Sequence, residues 1–164
     1  MVSSWVSPLK SILGVILFGV LTFSLAWLVE PQLLKLYIYT PPELTLEEWV
    51  TNFQFWASMV GLSATMAALI WCVLGEWVFV IEAAGDADKK IVWLLLTLIP
   101  LGFTVWVSLF RTFPVQTGYG QILAYFFYLI NIISAYFIAT ACFSPPAVKY
   151  NPWGSTYFRI EAWF

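Results

Sequence analysis

Residues 49–81 read WVTNFQFWASMVGLSATMAALIWCVLGEWVFVI, and this stretch decides the fold class. Glu76 is the only charged side chain within it. A helix needs about 20 mostly apolar residues to cross the hydrocarbon core of a bilayer. The stretch is therefore long enough to form a membrane-spanning helix, and it places one carboxylate inside that helix.

Three further stretches contain no Asp, Glu, Lys or Arg; they are residues 11–29, 91–110 and 112–148. The last of them holds a single helix, because proline and glycine interrupt both of its ends. The interrupting residues are Pro114, Gly118, Gly120, Pro145 and Pro146. Only 10% of the chain is charged, whereas a soluble domain is about 25% charged. We therefore predict an all-α integral membrane protein with four transmembrane helices in an antiparallel bundle.

The predicted helices divide the chain into a transmembrane domain, residues 1–143, and an aromatic tail, residues 144–164. The helices are expected at about residues 9–29, 46–83, 91–111 and 121–143. The second helix begins after Thr45-Leu-Glu-Glu48, which has the pattern of a capping box. The first apolar stretch resembles a signal peptide, but it continues through Val29 and is expected to remain as a helix.

The distribution of Lys and Arg beside the helices predicts their orientation, because cytoplasmic loops are enriched in these residues. One side carries Lys10, Lys89, Lys90, Lys149 and Arg159. The other carries Lys35 and Arg111, together with Glu30, Glu43, Glu47 and Glu48. We expect both termini on the cytoplasmic side of a bacterial inner membrane or an equivalent organellar membrane.

Tryptophan side chains concentrate at the two membrane–water interfaces, because the ring is apolar and its N–H needs a partner. The residues expected at the outer interface are Trp27, Trp49, Trp56 and Trp106. Those expected at the inner interface are Trp5, Trp77, Trp93 and Trp153.

Small residues recur on one face of the second helix at spacings of three and four. They are Ala57, Gly61, Ala64, Ala68 and Cys72. Small side chains let helix backbones approach closely within a membrane. Glu76 falls on the same face, and a central carboxylate costs roughly 2.5–3.5 kcal/mol on insertion scales. We interpret Glu76 as a structural acid in a helix contact; the alternatives are an ion or proton path and a charge pair with a partner subunit.

The fourth helix carries a polar face formed by Tyr128, Asn131 and Ser134. Such groups commonly hydrogen-bond between helices, at about 0.6 kcal/mol each. The alternative is a stripe that binds a ligand such as a quinone.

The C-terminal tail is rich in aromatic residues, and we expect it to dock onto the bundle or onto another subunit. The residues assigned to this contact are Trp153, Tyr157, Phe158, Trp163 and Phe164.

Several functions are disfavoured by composition. The chain has no histidine, which is the commonest ligand of haem and zinc and the usual general base near neutral pH. Cys72 and Cys142 do not form a CxxC pair, so we expect no metal site and no cofactor held by the chain's own ligands, although lipid or pigment can bind. The net charge of −2 gives no indication of nucleic-acid binding.

Without a nucleophile–base pair, the chain is not expected to be an enzyme. The first hypothesis is a non-catalytic accessory or structural subunit of a larger membrane complex, bioenergetic or photosynthetic, or a homo-oligomeric scaffold. Its partners would be other membrane subunits or copies of itself. The alternative is a small oligomeric ion or proton channel, or a transporter, that uses Glu76.

Overall fold

A computed structural model describes residues 6–37, 45–79, 85–112, 119–148 and 152. Every regular element within these ranges is helical, which confirms the predicted all-helical fold for this part of the chain. Four helices are long and apolar enough to cross a membrane. Their apolar spans are Leu9–Leu36, Leu46–Val78, Asp86–Arg111 and Ile122–Phe143.

We label these helices α1 to α4, and each of them contains a π-helical segment. Helix α1 comprises Val6–Ser24, the π-helical segment Leu25–Val29, and Glu30–Tyr37. Helix α2 comprises Leu46–Val73 and the π-helical segment Leu74–Val78. Helix α3 comprises Asp86–Val107 and the π-helical segment Ser108–Thr112. Helix α4 comprises Tyr119–Ile132, the π-helical segment Ile133–Ile138, and Ala139–Phe143, and the short 3₁₀ turn Pro146–Val148 follows it.

The capping box predicted at the start of α2 is confirmed. The backbone N–H of Glu48 donates to the Thr45 hydroxyl at 3.3 Å, and the backbone N–H of Thr45 donates to the Glu48 carboxylate at 3.0 Å. The two bonds satisfy donors that a helix start otherwise leaves unpaired.

Helix α1 continues well past its predicted end at residue 29. It passes through Glu30 and Pro31 and ends at Tyr37. Residues 30–37, which were expected to belong to the loop between the first two helices, are therefore helical. Pro31 has no N–H to donate to the carbonyl of Trp27. The side chain of Gln54 on α2 supplies the missing donor, with its Nε2 at 2.9 Å from that carbonyl oxygen. A neighbouring helix thus lets the proline remain inside the helix.

Two further helix boundaries differ from the predicted ones. Helix α2 is helical to Val78, not to 83, and residues 80–84 lie outside the described part of the chain. Helix α3 begins at Asp86, not at 91. Asp86 and Asp88 occupy its first turn, where their negative charge is stabilised by the positive end of the helix dipole.

Contacts along the bundle show that α1 and α3 run opposite to α2 and α4. Helices α1 and α2 meet at Gly19 with Thr65 and at Trp27 with Gln54. Helices α2 and α3 meet at Asn52 with Arg111 and at Trp56 with Trp106. Helices α1 and α4 meet at Gly14 with Phe143 and at Thr22 with Ser134. We call the two ends of the bundle the Thr45 end and the Ser144 end.

Helix α2 is the most buried of the four helices, since 56% of an apolar stretch of 18 residues within it is buried, against 22% for α1, 33% for α3 and 44% for α4. Two of the tryptophans expected toward the membrane interfaces have side chains that are buried in the bundle. Trp49 is 3% exposed and Trp93 is 2% exposed. The indole N–H of Trp93 has its partner inside the bundle, as described below.

Candidate functional site

The small-residue face of α2 is enclosed in the bundle, and at Gly61 it lies against α1. All five of its residues, Ala57, Gly61, Ala64, Ala68 and Cys72, are buried. A Cβ atom added to Gly61 would lie 3.2 Å from the Thr22 methyl carbon, and one added to Gly19 would lie 2.6 Å from the Thr65 methyl carbon. The helices α1 and α2 therefore approach more closely than larger side chains at these positions would allow.

Glu76 lies near the Ser144 end of α2, inside the π-helical segment Leu74–Val78. Its side chain is half-buried, and its Oε1 atom is enclosed without a hydrogen-bond partner among the described residues. Gly75 beside it packs against Pro145 and Val148, so the turn after α4 covers this part of α2. Glu76 thus occupies a helix contact at one end of the bundle, with one carboxylate oxygen that has no partner in the described part of the chain.

The interior at the Ser144 end is a layer of aromatic rings whose polar atoms are paired. Trp71 donates its indole N–H to the Ser144 hydroxyl at 2.8 Å, and Trp93 donates its indole N–H to the Thr140 hydroxyl at 3.0 Å. The Ser144 and Thr140 hydroxyls donate in turn to the backbone carbonyls of Thr140 and Tyr136. We call these four side chains, together with Tyr136, the aromatic layer.

Tyr136 is the aromatic residue that α4 contributes to the aromatic layer. Its hydroxyl donates to the backbone carbonyl of Trp93, and its ring stacks on the Trp93 indole with centroids 5.6 Å apart. Thr97 donates its hydroxyl to the same carbonyl at 3.1 Å. Paired polar atoms and stacked rings of this kind fix the positions of α3 and α4 relative to each other.

The polar face predicted on α4 points into the bundle, mostly toward α1. The Thr22 hydroxyl donates to the Ser134 hydroxyl at 3.0 Å, and Asn131 donates its Nδ2 to Oε2 of Glu30 at 3.3 Å. Tyr128 is fully buried, and its ring stacks on Phe53 of α2 with centroids 5.5 Å apart. The structure thus places all three residues in contacts between helices.

Glu30 is the acid that sequence reasoning missed, because it was assigned to the outer loop. Only 3% of its surface is exposed, and Asn131 is fully buried. Each of these two side chains also has an oxygen without a partner among the described residues, namely Oε1 of Glu30 and Oδ1 of Asn131. A buried carboxyl group whose oxygen has no partner among the described residues, within a helix long and apolar enough to cross a membrane, is a functional-site candidate on physical grounds.

The sequence does contain a signal for the buried position of Glu30. Thr22, Ala26 and Glu30 are four residues apart, so a continuous helix places them on one face. The structure buries all three on that face. The signal was missed because the first helix was predicted to end at Val29, where the charge-free stretch ends. Helix α1 nevertheless continues through Pro31, since proline is tolerated in membrane helices when a neighbouring group replaces the lost bond.

Two further buried hydroxyl groups lie on α3, one turn apart. Thr104 is 3% exposed and Ser108 is fully buried, and neither hydroxyl has a partner among the described residues. Trp106 lies between Thr104 and Ser108 in the sequence, and its ring contacts that of Trp56 on α2. The two hydroxyls therefore lie near Trp56 along the axis of the bundle. Since Gln54 of α2 bonds to α1 at Trp27, these hydroxyls lie in the same half of the bundle as Glu30.

Each side chain with an unpaired buried atom lies in or within four residues of a π-helical segment. These side chains are Glu30, Glu76, Thr104, Ser108 and Asn131. A π-helical turn rotates the following side chains relative to a regular α-helix, and such turns are frequent at functional sites. Glu30 itself takes part in such a turn, because its backbone N–H bonds to the carbonyl of Leu25, five residues earlier.

An apolar groove of about 280 Å³ runs along the outer side of α1 and α2. It is lined by Ile16, Gly19, Val20, Phe23, Leu62 and Thr65. Thr65 already donates its hydroxyl to the Gly61 carbonyl at 2.9 Å. The groove therefore offers an apolar surface with no free hydrogen-bond donor from Thr65.

The five aromatic residues assigned to partner docking in the tail, at positions 153, 157, 158, 163 and 164, lie outside the described residues. Within the described ranges, no group of three or more Cys, Asp or Glu side chains is arranged to hold a metal ion. Cys72 and Cys142 are not joined in a disulfide bond. No protein-family model, curated protein or solved structure matches this chain.

Proposed function

We propose that this chain is a non-catalytic integral membrane subunit that assembles with other membrane proteins or with copies of itself. The observation that carries the proposal is Gly102, which lies on the exposed side of α3. A Cβ atom added there would have no other atom within 4 Å. Glycine inside a helix costs about 1 kcal/mol relative to alanine. A small residue on an open membrane face is favourable when another helix approaches it closely.

The packing of the interior supports a structural role over a catalytic one. Four large rings, those of Trp71, Trp93, Tyr128 and Tyr136, are completely buried and fill the space between the helices. Such an interior holds helices in place and leaves little room for a substrate.

The proposal places the subunit in a bacterial inner membrane or an equivalent organellar membrane, with both termini on the cytoplasmic side. The excess of Lys and Arg beside the Ser144 end supports this orientation. The orientation can be measured with a membrane-impermeant thiol reagent, which should label a cysteine introduced at Asp88 from the cytoplasmic side only.

Association is tested by native mass spectrometry of the full chain, released from its membrane in mild detergent. We expect wild-type protein in complex with other polypeptides or as an oligomer, and we expect Gly102→Leu to reduce the assembled fraction at least tenfold. Val105→Leu is the matched control, because it adds bulk at an already exposed position of the same helix. A monomeric wild type, or a Gly102→Leu variant that assembles normally, would contradict the proposal.

A second candidate function is a small oligomeric channel or transporter for ions or protons. The observation that favours it is the enclosed and unpaired Oε1 atom of Glu76. In planar bilayers such a protein would conduct, and Glu76→Gln would change the conductance, whereas the exposed-site variant Glu47→Gln would not. A purified oligomer without conductance would exclude this function.

A further inference from the structure

The two unpaired oxygens of Glu30 and Asn131 belong to side chains that already share a hydrogen bond. Asn131 Nδ2 donates to Glu30 Oε2, which leaves Glu30 Oε1 and Asn131 Oδ1 as the remaining oxygens of the pair. Both are enclosed by the bundle, and both are acceptors when the carboxyl group is ionised. Protonation of Glu30 Oε1 would turn one of these two acceptors into a donor for the other.

We propose that Glu30 and Asn131 form a proton-binding site, in which a neutral Glu30 carboxyl group and the Asn131 amide hydrogen-bond in both directions. The proton resides on Glu30 Oε1 and is donated to Asn131 Oδ1. The amide N–H donates back to Glu30 Oε2, as the structure shows. When the proton leaves, Glu30 Oε1 and Asn131 Oδ1 again lack a donor among the described residues.

A proton fits this site better than a metal ion. Hard cations such as Ca²⁺ and Mg²⁺ take about six or more oxygen ligands, whereas only two oxygens of the pair remain. A proton needs only one donor oxygen and one acceptor oxygen. Within the described ranges there is also no cluster of acidic or thiol side chains that would complete a metal site.

The charged groups around the pair do not replace the proton as a counter-charge. Lys35 lies on the same helix but is exposed, and Glu47 and Glu48 at the start of α2 are exposed as well. Tyr125 and Tyr128 are the titratable residues of the α4 segment that packs against Glu30. Among the described residues, the only ion pair joins Lys89 to Asp86, at the other end of the bundle.

The test is infrared spectroscopy of the full chain in lipid bilayers at neutral pH. The wild-type spectrum minus that of Glu30→Gln should contain the carbonyl stretch of a protonated carboxylic acid, which shifts on exchange into D₂O. In Asn131→Ala the same band should remain and move to higher frequency, because it loses the amide hydrogen bond. Glu76→Gln is the control, and it must leave this band in place.

The double variant Glu30→Gln/Asn131→Asp exchanges the acid and the amide between the two helices at unchanged side-chain lengths. We expect it to restore a protonated-acid band near the wild-type position, which also covers the case in which Glu30→Gln alone fails to fold. A carboxylate doublet in the wild-type minus Glu30→Gln spectrum would overturn the proposal. So would a double variant that folds and shows only an ionised carboxylate.

Discussion

The aromatic layer and the Glu30–Asn131 pair differ in how completely their buried polar atoms are paired. At the Ser144 end, the indole N–H groups of Trp71 and Trp93 and the hydroxyl of Tyr136 all have partners. In the half of the bundle that contains Glu30, oxygens of Glu30 and Asn131 have no partner among the described residues. The first region has the properties of a structural interior, and the second has those of a site.

This difference follows from what an unpaired polar atom costs in an apolar interior. A paired hydrogen bond contributes about 1 kcal/mol, whereas a buried donor or acceptor left alone costs about 1–3 kcal/mol. A sequence under selection for stability alone would have little reason to keep several such atoms together. The enclosed oxygens of Glu30 and Asn131 therefore support the proposal that this pair binds a proton.

The largest effect is expected from removing the central ring of the aromatic layer. Trp93→Ala should lower the free energy of unfolding by about 3 kcal/mol, at the lower end of the range for Trp→Ala. The lower end applies because lipid is as apolar as the protein interior, so the loss is one of packing. Trp93 also stacks on Tyr136 and packs against Phe137 at 5.2 Å. The measurement is equilibrium unfolding in bicelles.

Trp77→Ala is the matched control for this variant, since Trp77 is 49% exposed and faces outward. We expect Trp77→Ala to change the free energy of unfolding by less than about 0.5 kcal/mol. If both variants lower the free energy of unfolding by the same amount, the aromatic layer does not stabilise the bundle as its contacts indicate.

A smaller effect is expected from removing one hydroxyl of the aromatic layer without changing its shape. Thr140→Val leaves the indole N–H of Trp93 buried without its acceptor, which should cost about 1 kcal/mol. Thr65→Val is the control, because Thr65 bonds only to a carbonyl of its own helix, that of Gly61. Equal losses in the two variants would show that the bond between α3 and α4 contributes nothing specific.

The sequence predicted four long helices because each apolar stretch is long enough to cross a membrane as a helix, which satisfies its own backbone. The capping box at Thr45 was equally readable, since it depends on residues three apart. Both are local patterns. The structure confirms the capping box, and its described part is all-helical with four helices long and apolar enough to cross a membrane. The ends of α1 and α3 were placed less well, because they depend on contacts beyond the local sequence.

The candidate site illustrates the same limit. Glu76 was recognised because the sequence around it is free of charge, while Glu30 was not, because it directly follows the charge-free stretch that ends at Val29. The helix continues past Pro31 with the help of Gln54, which is distant in sequence. The spacing of Asn131 placed it on a polar face of α4. Its partner, Glu30, lies in a part of α1 beyond the predicted end of that helix, so the sequence did not indicate the contact.

The smallest effect is expected when Glu30 and Asn131 are replaced together. Glu30→Leu/Asn131→Leu should change the free energy of unfolding by less than about 0.5 kcal/mol, or raise it, because apolar groups of similar size need no donors. Asn131→Leu alone should cost about 1–3 kcal/mol, since it removes the amide that bonds to Glu30.

Equilibrium unfolding in bicelles at neutral pH measures both variants against wild type. A double variant at least as stable as wild type would show that the pair is kept for a purpose other than stability, in contrast to the aromatic layer. If instead the double variant loses more than Asn131→Leu alone, Glu30 and Asn131 stabilise the bundle in their own right. The two halves would then differ only in how completely their polar atoms are paired.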